Sequence, residues 1–156
     1  MGDQDQAQRV RAVIEKVRVF RRLSVGEAQQ LIKFCQFKSY GQNQIVYRVG
    51  EPSDEMLILL QGRLSVINDS GTVLGYIEPG TTTGEMGVLP GQPRAATILA
   101  TESASGFVIK KNDLTKLLRD DGLRLKVYEN MVGILCDRLS SANLQMESYA
   151  RKSRGH

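Results

Sequence analysis

Residues 83–98, TGEMGVLPGQPRAATI, bring a carboxylate, a guanidinium and three glycines into one short stretch. Gly84, Gly87 and Gly91 let the main chain approach a ligand closely, Glu85 can accept from a sugar hydroxyl, and Arg94 offers a planar fork to phosphate oxygens. If a short helical turn follows Gly84, its free amides add a local dipole that favours an anion. Nine residues separate Glu85 from Arg94, so a loop that bends back sets carboxylate and guanidinium on opposite sides of one sugar phosphate. The chemistry is that of holding a small ribose phosphate, with the arginine offsetting the carboxylate's repulsion of the anion.

Catalytic alternatives fail on inventory. The only histidine is His156, the terminal residue, which leaves no imidazole cluster for a metal and no central base for a Ser-His-Asp triad. Cys35 and Cys136 match neither a C-x-x-C pair nor a zinc or iron-sulfur spacing, and read as buried free thiols in a reducing, cytoplasmic protein. No enzyme activity, metal or cofactor is expected. The chain starts polar, and its longest aliphatic run is MLILL at 56–60, so neither a signal peptide nor a membrane span is expected. The net charge is +4, yet the basic residues concentrate only at Arg18, Arg21 and Arg22 and in the tail Arg151, Lys152, Arg154. They read as solvated faces, and with no tryptophan a stacking platform for single strands is poorly supported.

Three zones must position the central motif within the 156 residues, which suit one domain. Over 1–35, Val10, Val13, Ile14, Val17 and Phe20 recur at helical spacing along 5–21, and Ser24 with Glu27 forms a capping box for a second helix facing Ala28, Leu31 and Ile32 inward. Over 36–110, glycines near every tenth residue break short runs rich in β-formers, with strands expected at 37–40, 44–48, 56–60, 63–68, 73–77, 94–100 and 106–110 and a hairpin turn at 69–71. The fold class is α+β: a jelly-roll barrel of about eight antiparallel strands, flanked by N-terminal helices and a long C-terminal helix.

Over 111–150, Asn112 is the expected N-cap of a short helix, and a longer helix runs from about Leu123 toward Tyr149. Its Leu125, Tyr128, Val132, Leu135, Leu139, Ala142, Met146 and Tyr149 step by three and four, a heptad seam. The seam either packs on the chain's own barrel or pairs with the same helix of a second subunit, a homodimer through 125–149. Residues 151–156 are a basic tail.

GEMGVLPGQPRAAT at 84–97 and YRVGEPSDEMLILLQG at 47–62 resemble, in order, motifs of the cyclic nucleotide-binding domain family, and the likeness extends over about residues 18–146. The first is similar to that family's phosphate-binding cassette. The resemblance implies that Glu85 binds the ribose 2'-hydroxyl, Arg94 the cyclic phosphate, and amides near Gly84, Met86 and Ala95 the remaining oxygens, with Gly50 and Gly62 as turn glycines. The ligand-binding set is then Gly84, Glu85, Met86, Gly87, Arg94, Ala95, Ala96 and Asn143, the last as base reader beside Ala142. Departures are Thr83, where many relatives carry an aromatic or aliphatic residue, and Ala95, where some carry Ser or Thr. Ala95, within PRAAT as in the family's kinase regulatory subunits, favours cyclic AMP over cyclic GMP. Arg48 and Arg63, near the barrel mouth in sequence, keep a cyclic dinucleotide open, and a ligand-free scaffold dimer is a further alternative.

The function implied is a cytoplasmic cyclic-nucleotide receptor that signals to a partner protein by moving its helices. About seven residues follow Tyr149, too few for a DNA-reading helix-turn-helix, so no specific DNA binding is expected.

Overall fold

The computed structural model describes residues 2–84 and 92–155. Glu85, Met86 and Gly87 of the expected ligand set lie outside the described residues. In chain order come α1 (Asp3–Lys16), a 3-10 turn (Arg18–Phe20), α2 (Val25–Lys33), β1 (Gln36–Tyr40), β2 (Ile45–Tyr47), β3 (Glu55–Gln61), β4 (Leu64–Ile67) and β5 (Val73–Ile77). β6 (Thr82–Thr83), β7 (Thr97–Ala100), β8 (Ala104–Lys110), α3 (Lys111–Leu117) and α4 (Asp121–Arg154) complete it.

The strands form two antiparallel sheets, ordered β1-β8-β3-β6 and β2-β7-β4-β5, which face each other as a jelly roll. The aliphatic run MLILL explains how helices and barrel cohere. It is the middle of β3, where successive side chains point to opposite faces. Met56 and Ile58 join a helical core with Phe20, Leu31, Leu114, Leu123 and Ile134, whereas Leu57 and Leu59 fill the barrel with Leu64, Ile77, Ile98 and Val108. A strand buried on both faces needs a continuous apolar run, not alternation.

The capping box forms as expected: Ser24 Oγ accepts from the Glu27 amide at 3.1 Å, and Glu27 Oε1 accepts from the Ser24 amide at 3.0 Å. Ala28 and Leu31 are buried and Ile32 half-buried. In the hairpin between β4 and β5, the Asn68 side chain accepts from the amides of Ser70 and Thr72 at 3.1 and 2.9 Å. Gly50 and Gly62 take positive φ, as turn glycines do.

Several expectations need correction. The first helix ends at Lys16 because Val17 is extended (φ −102°, ψ 117°), which lets the Arg18 amide donate to Gly80 O at 3.0 Å. Asn112 is not an N-cap: β8 runs directly into α3, Lys110 holds the cap position without a side-chain bond, and the Lys111 amide is satisfied by Asp54 O at 2.8 Å. The side-chain cap falls instead on α4, where Asp120 Oδ1 accepts from the Leu123 amide at 2.9 Å. β7 begins at Thr97 and not at 94, since Arg94 pairs its amide and carbonyl with Glu51 O and the Gly50 amide, both at 2.8 Å. β6 has only two residues, too short for a periodic signal. Cys136 is exposed, not buried, while Cys35 is half-buried, bonded to Leu31 O, and raised by burial to about 12.

α4 packs through Leu123, Val127, Met131 and Ile134, a stripe distinct from the heptad seam. The seam faces outward, with Leu125, Val132, Leu139, Met146 and Tyr149 all more than half exposed. These five side chains are not covered by the chain's own barrel, whereas Ala142 of the same seam lines a cavity beside it. No helix among the described residues is long and apolar enough to cross a membrane.

Gly80 joins the end of α1 to the barrel. Its amide donates to Leu59 O at 2.8 Å, its φ is +90°, and a Cβ there would stand 2.3 Å from Lys16 O. Gly80→Ala should destabilise the fold by at least about 1 kcal/mol, read as a lower urea midpoint at unchanged slope. A midpoint equal to the parent's would show that this junction carries no strain.

Candidate functional site

Pro93 forms a bridge with Pro52, and Arg94 pairs with the loop entering β3, so its side chain is directed back into the barrel. There it is buried, with 7% of its surface exposed. Nη2 donates to Glu55 O at 2.9 Å, and the guanidinium carbon lies 3.6 Å from the centroid of the Tyr47 ring. Nη1 is buried with no hydrogen-bond partner among the described residues.

Gly84 makes room for this arrangement. Its φ is +85°, and a Cβ would come within 2.3 Å of Arg94 Nη1 and 2.9 Å of Glu55 O. Only glycine combines that backbone conformation with that closeness. A buried charged donor left without an acceptor costs more than the roughly 1–3 kcal/mol of a neutral one, and no described residue offsets that cost at Nη1.

The floor beneath Arg94 is a polar network. Glu55 stands opposite Lys110 in the β3–β8 register; its carboxylate accepts from Lys110 Nζ at 3.1 Å and from Tyr47 Oη at 2.9 Å, with Lys38 Nζ at 3.9 Å. Burial pushes the Glu55 carboxyl up, but hydrogen bonds from Lys110 and Tyr47 and the charges of Lys38 and Lys110 outweigh it and hold it below its ordinary value. Burial first, and then the Glu55 charge, raises the Tyr47 phenol well above its usual range, so it acts as a donor.

The described residues surround a cavity of about 540 Å³, within the range typical of small-molecule sites. Gly84, Arg94, Ala95 and Ala96 form one side, Val66, Ile77 and Ile98 an apolar side from the barrel, and Arg138, Ser141, Ala142 and Gln145 a wall from α4. Four expected residues, Gly84, Arg94, Ala95 and Ala96, are thus together. Asn143 is exposed on α4 and outside the lining, although its neighbour Ala142 is within it. Arg48 and Arg63 do not line the cavity; Arg63 is occupied by Glu78 at 2.9 Å and lies 3.7 Å over the Tyr76 ring.

Two consecutive residues of α4 tie its wall to the rest. Asp137 pairs with Arg18 of the 3-10 turn, and Arg138 donates to Thr82 O, two residues before Gly84. Burial, with Arg18 nearby, lowers the Arg138 pKa from the ordinary guanidinium value. Sequence reasoning missed Tyr47, Glu55, Arg18 and Arg138. Tyr47 and Glu55 fell inside the motif at 47–62, which marks them as candidates, but nothing local in the sequence indicates their contact with Arg94. Among the described residues no group of three or more His, Cys, Asp or Glu is placed to hold a metal ion.

This arrangement of cassette and barrel is that of a cyclic nucleotide sensor fold. The chain matches the cyclic nucleotide-binding domain family over residues 37–121, and it belongs to that family. A cyclic nucleotide-gated potassium channel of Mesorhizobium japonicum is 27% identical over 105 residues, covering 67% of this chain and 29% of the channel. The chain spans less than a third of the length of such curated relatives. Among solved structures, a cyclic nucleotide-binding domain from Methylobacillus flagellatus superposes with a TM-score of 0.79 at 23% identity, covering 92% of this chain and 84% of that one. The cAMP-bound PfPKA-R superposes with a TM-score of 0.66 at 23% identity, over 82% of this chain and 46% of that one.

The depressed Glu55 pKa has a stability consequence with a definite sign. A carboxylate whose folded pKa lies below its unfolded value stabilises above the unfolded value, and the gain is lost as pH falls through the folded one. The stability difference between the parent chain and Glu55→Gln should be full near pH 6 to 7 and shrink as pH drops below about 4. Urea titrations across that range check it; a difference that stays constant to pH 3 would remove the ionic role of Glu55.

Proposed function

We propose that residues 1–156 act as a single cyclic nucleotide-binding unit of a cytoplasmic receptor, without catalysis of its own, whose ligand is cyclic AMP in preference to cyclic GMP. The observation that carries this reading is the buried Nη1 of Arg94, which has no partner among the described residues and faces a cavity beside Gly84. A cyclic phosphate supplies the missing acceptor. Ribose and phosphate then lie along Gly84, Glu85, Met86, Gly87, Arg94, Ala95 and Ala96, with Glu85 accepting from the 2'-hydroxyl. The apolar barrel side receives the faces of the base, and α4 covers it through Ala142, with Asn143 reaching the edge once the helix closes. Ala95, which has no hydroxyl, supports adenine over guanine.

The output passes through helices. α4 is bonded to the strand that enters the cassette through Arg138 and to the 3-10 turn through Asp137, so a ligand that moves the cassette biases both contacts. The recipient is a partner protein or a second copy of the chain. The exposed seam from Leu125 to Tyr149, with its heptad spacing, suits the parallel pairing of two α4 helices.

Titration calorimetry with cyclic AMP, cyclic GMP and cyclic di-GMP tests the ligand. Cyclic AMP should bind most tightly, and Arg94→Ala should weaken it about 10- to 150-fold through lost charged hydrogen bonds. No heat from any of the three would end the receptor reading, and tightest binding of cyclic di-GMP would replace its ligand. For the seam, sedimentation should show a dimer that Leu135→Glu and Leu139→Glu together convert to monomer. A parent chain that sediments as a monomer at high concentration, with and without ligand, would discard the pairing.

A further inference from the structure

We infer that Tyr47 is a positioning residue for Arg94, held in place by Glu55, and that the pair sets how tightly the anion is bound. The inference rests on the reading of Arg94 as the phosphate-binding group. A guanidinium on a flexible side chain can rotate in its plane and tilt out of it, and bidentate recognition of an anion needs both motions suppressed. Here each is suppressed by a different contact. The Tyr47 ring, 3.6 Å from the guanidinium carbon, sets the plane, and Glu55 O, 2.9 Å from Nη2, sets the rotation within it. What is left over is Nη1, buried and aimed past Gly84.

One residue thus fixes both contacts. The Glu55 carbonyl holds the guanidinium edge, and the Glu55 carboxylate holds the Tyr47 hydroxyl at 2.9 Å, which keeps the ring beneath the guanidinium. Without partners, that carboxylate would compete for Arg94 and draw it off the ligand. Lys110 at 3.1 Å and Lys38 at 3.9 Å occupy its other oxygen, so Glu55 orients Arg94 through neutral contacts while its charge is satisfied elsewhere. Tyr47 is itself buried, which excludes water from the stacked face and strengthens the contact.

The test has two readouts. In the ligand-free, nitrogen-15-labelled chain, the Arg94 Nε proton should resonate upfield from ring current and exchange slowly with water, and Tyr47→Leu should abolish both signatures. In competition titrations with a fluorescent cyclic AMP analogue, Tyr47→Leu should weaken binding about 2- to 30-fold in the parent and less than about twofold in an Arg94→Ala background. Tyr47→Phe keeps the ring and loses only the tether to Glu55, so its affinity should fall between those of the parent and Tyr47→Leu; affinity equal to the parent's would overturn the role given to Glu55. Equal losses in both backgrounds, or an Arg94 resonance unchanged by Tyr47→Leu, would overturn the inference. If the parent chain bound no cyclic nucleotide while the resonance behaved as described, the positioning contact would stand and the ligand assignment would fall.

Discussion

Strand β3 must be buried on both faces, and the rest of the molecule is arranged around that constraint. Met56 and Ile58 require a cover of helices, which α1, α2, α3 and the first half of α4 supply; Leu57 and Leu59 require a closed barrel, which the second sheet supplies. Neither cover is stable alone, because a jelly roll with one bare aliphatic face would expose a large apolar patch. The same strand begins at Glu55, so the rigidity that double burial gives β3 is passed directly to the carbonyl and carboxylate that hold Arg94 and Tyr47. The Arg94 guanidinium is therefore held by one of the most buried strands among the described residues.

The same helices also reach the cavity. The helices that cover β3 end close to the cavity: α4 turns from a buried stripe ending at Ile134 to a cavity wall at Arg138, Ser141 and Gln145 within three turns. Its anchors, Arg138 on Thr82 O and Asp137 on Arg18, are polar and near the surface of the cavity, whereas Leu123 and Val127 are locked in the core. α4 is thus held by apolar burial at its first half and by polar contacts at the cavity.

Much of this was legible in the sequence for local reasons. The capping box of α2 depends on residues three apart, the hairpin at Asn68 on a side chain bonding its own neighbours, and the strands on short β-forming runs between glycines. The cassette was readable because Gly84 and Arg94 carry chemistry that few structural roles need together. Misreadings arose where a distant group changed the local rule. Asn112 looked like a cap, yet the strand before it continued to Lys110 because Glu55 and Asp54 paired there. Helix α1 looked longer because Val17 and Phe20 kept the helical period, although Gly80 drew the Arg18 amide away.

Composition and short-range pattern by themselves determined the zones, the barrel class, the strand at MLILL and the presence of a guanidinium and glycines suited to a sugar phosphate. Those depend on side-chain type and on separations of a few residues. Tertiary structure alone decided which of two apolar stripes on α4 faces the core and that Tyr47, 47 positions before Arg94 in the chain, lies under its guanidinium. It also decided that one nitrogen of that group is buried without a partner among the described residues. Such contacts follow from the closure of sheets across long stretches of chain, where no spacing in the sequence records which residues meet.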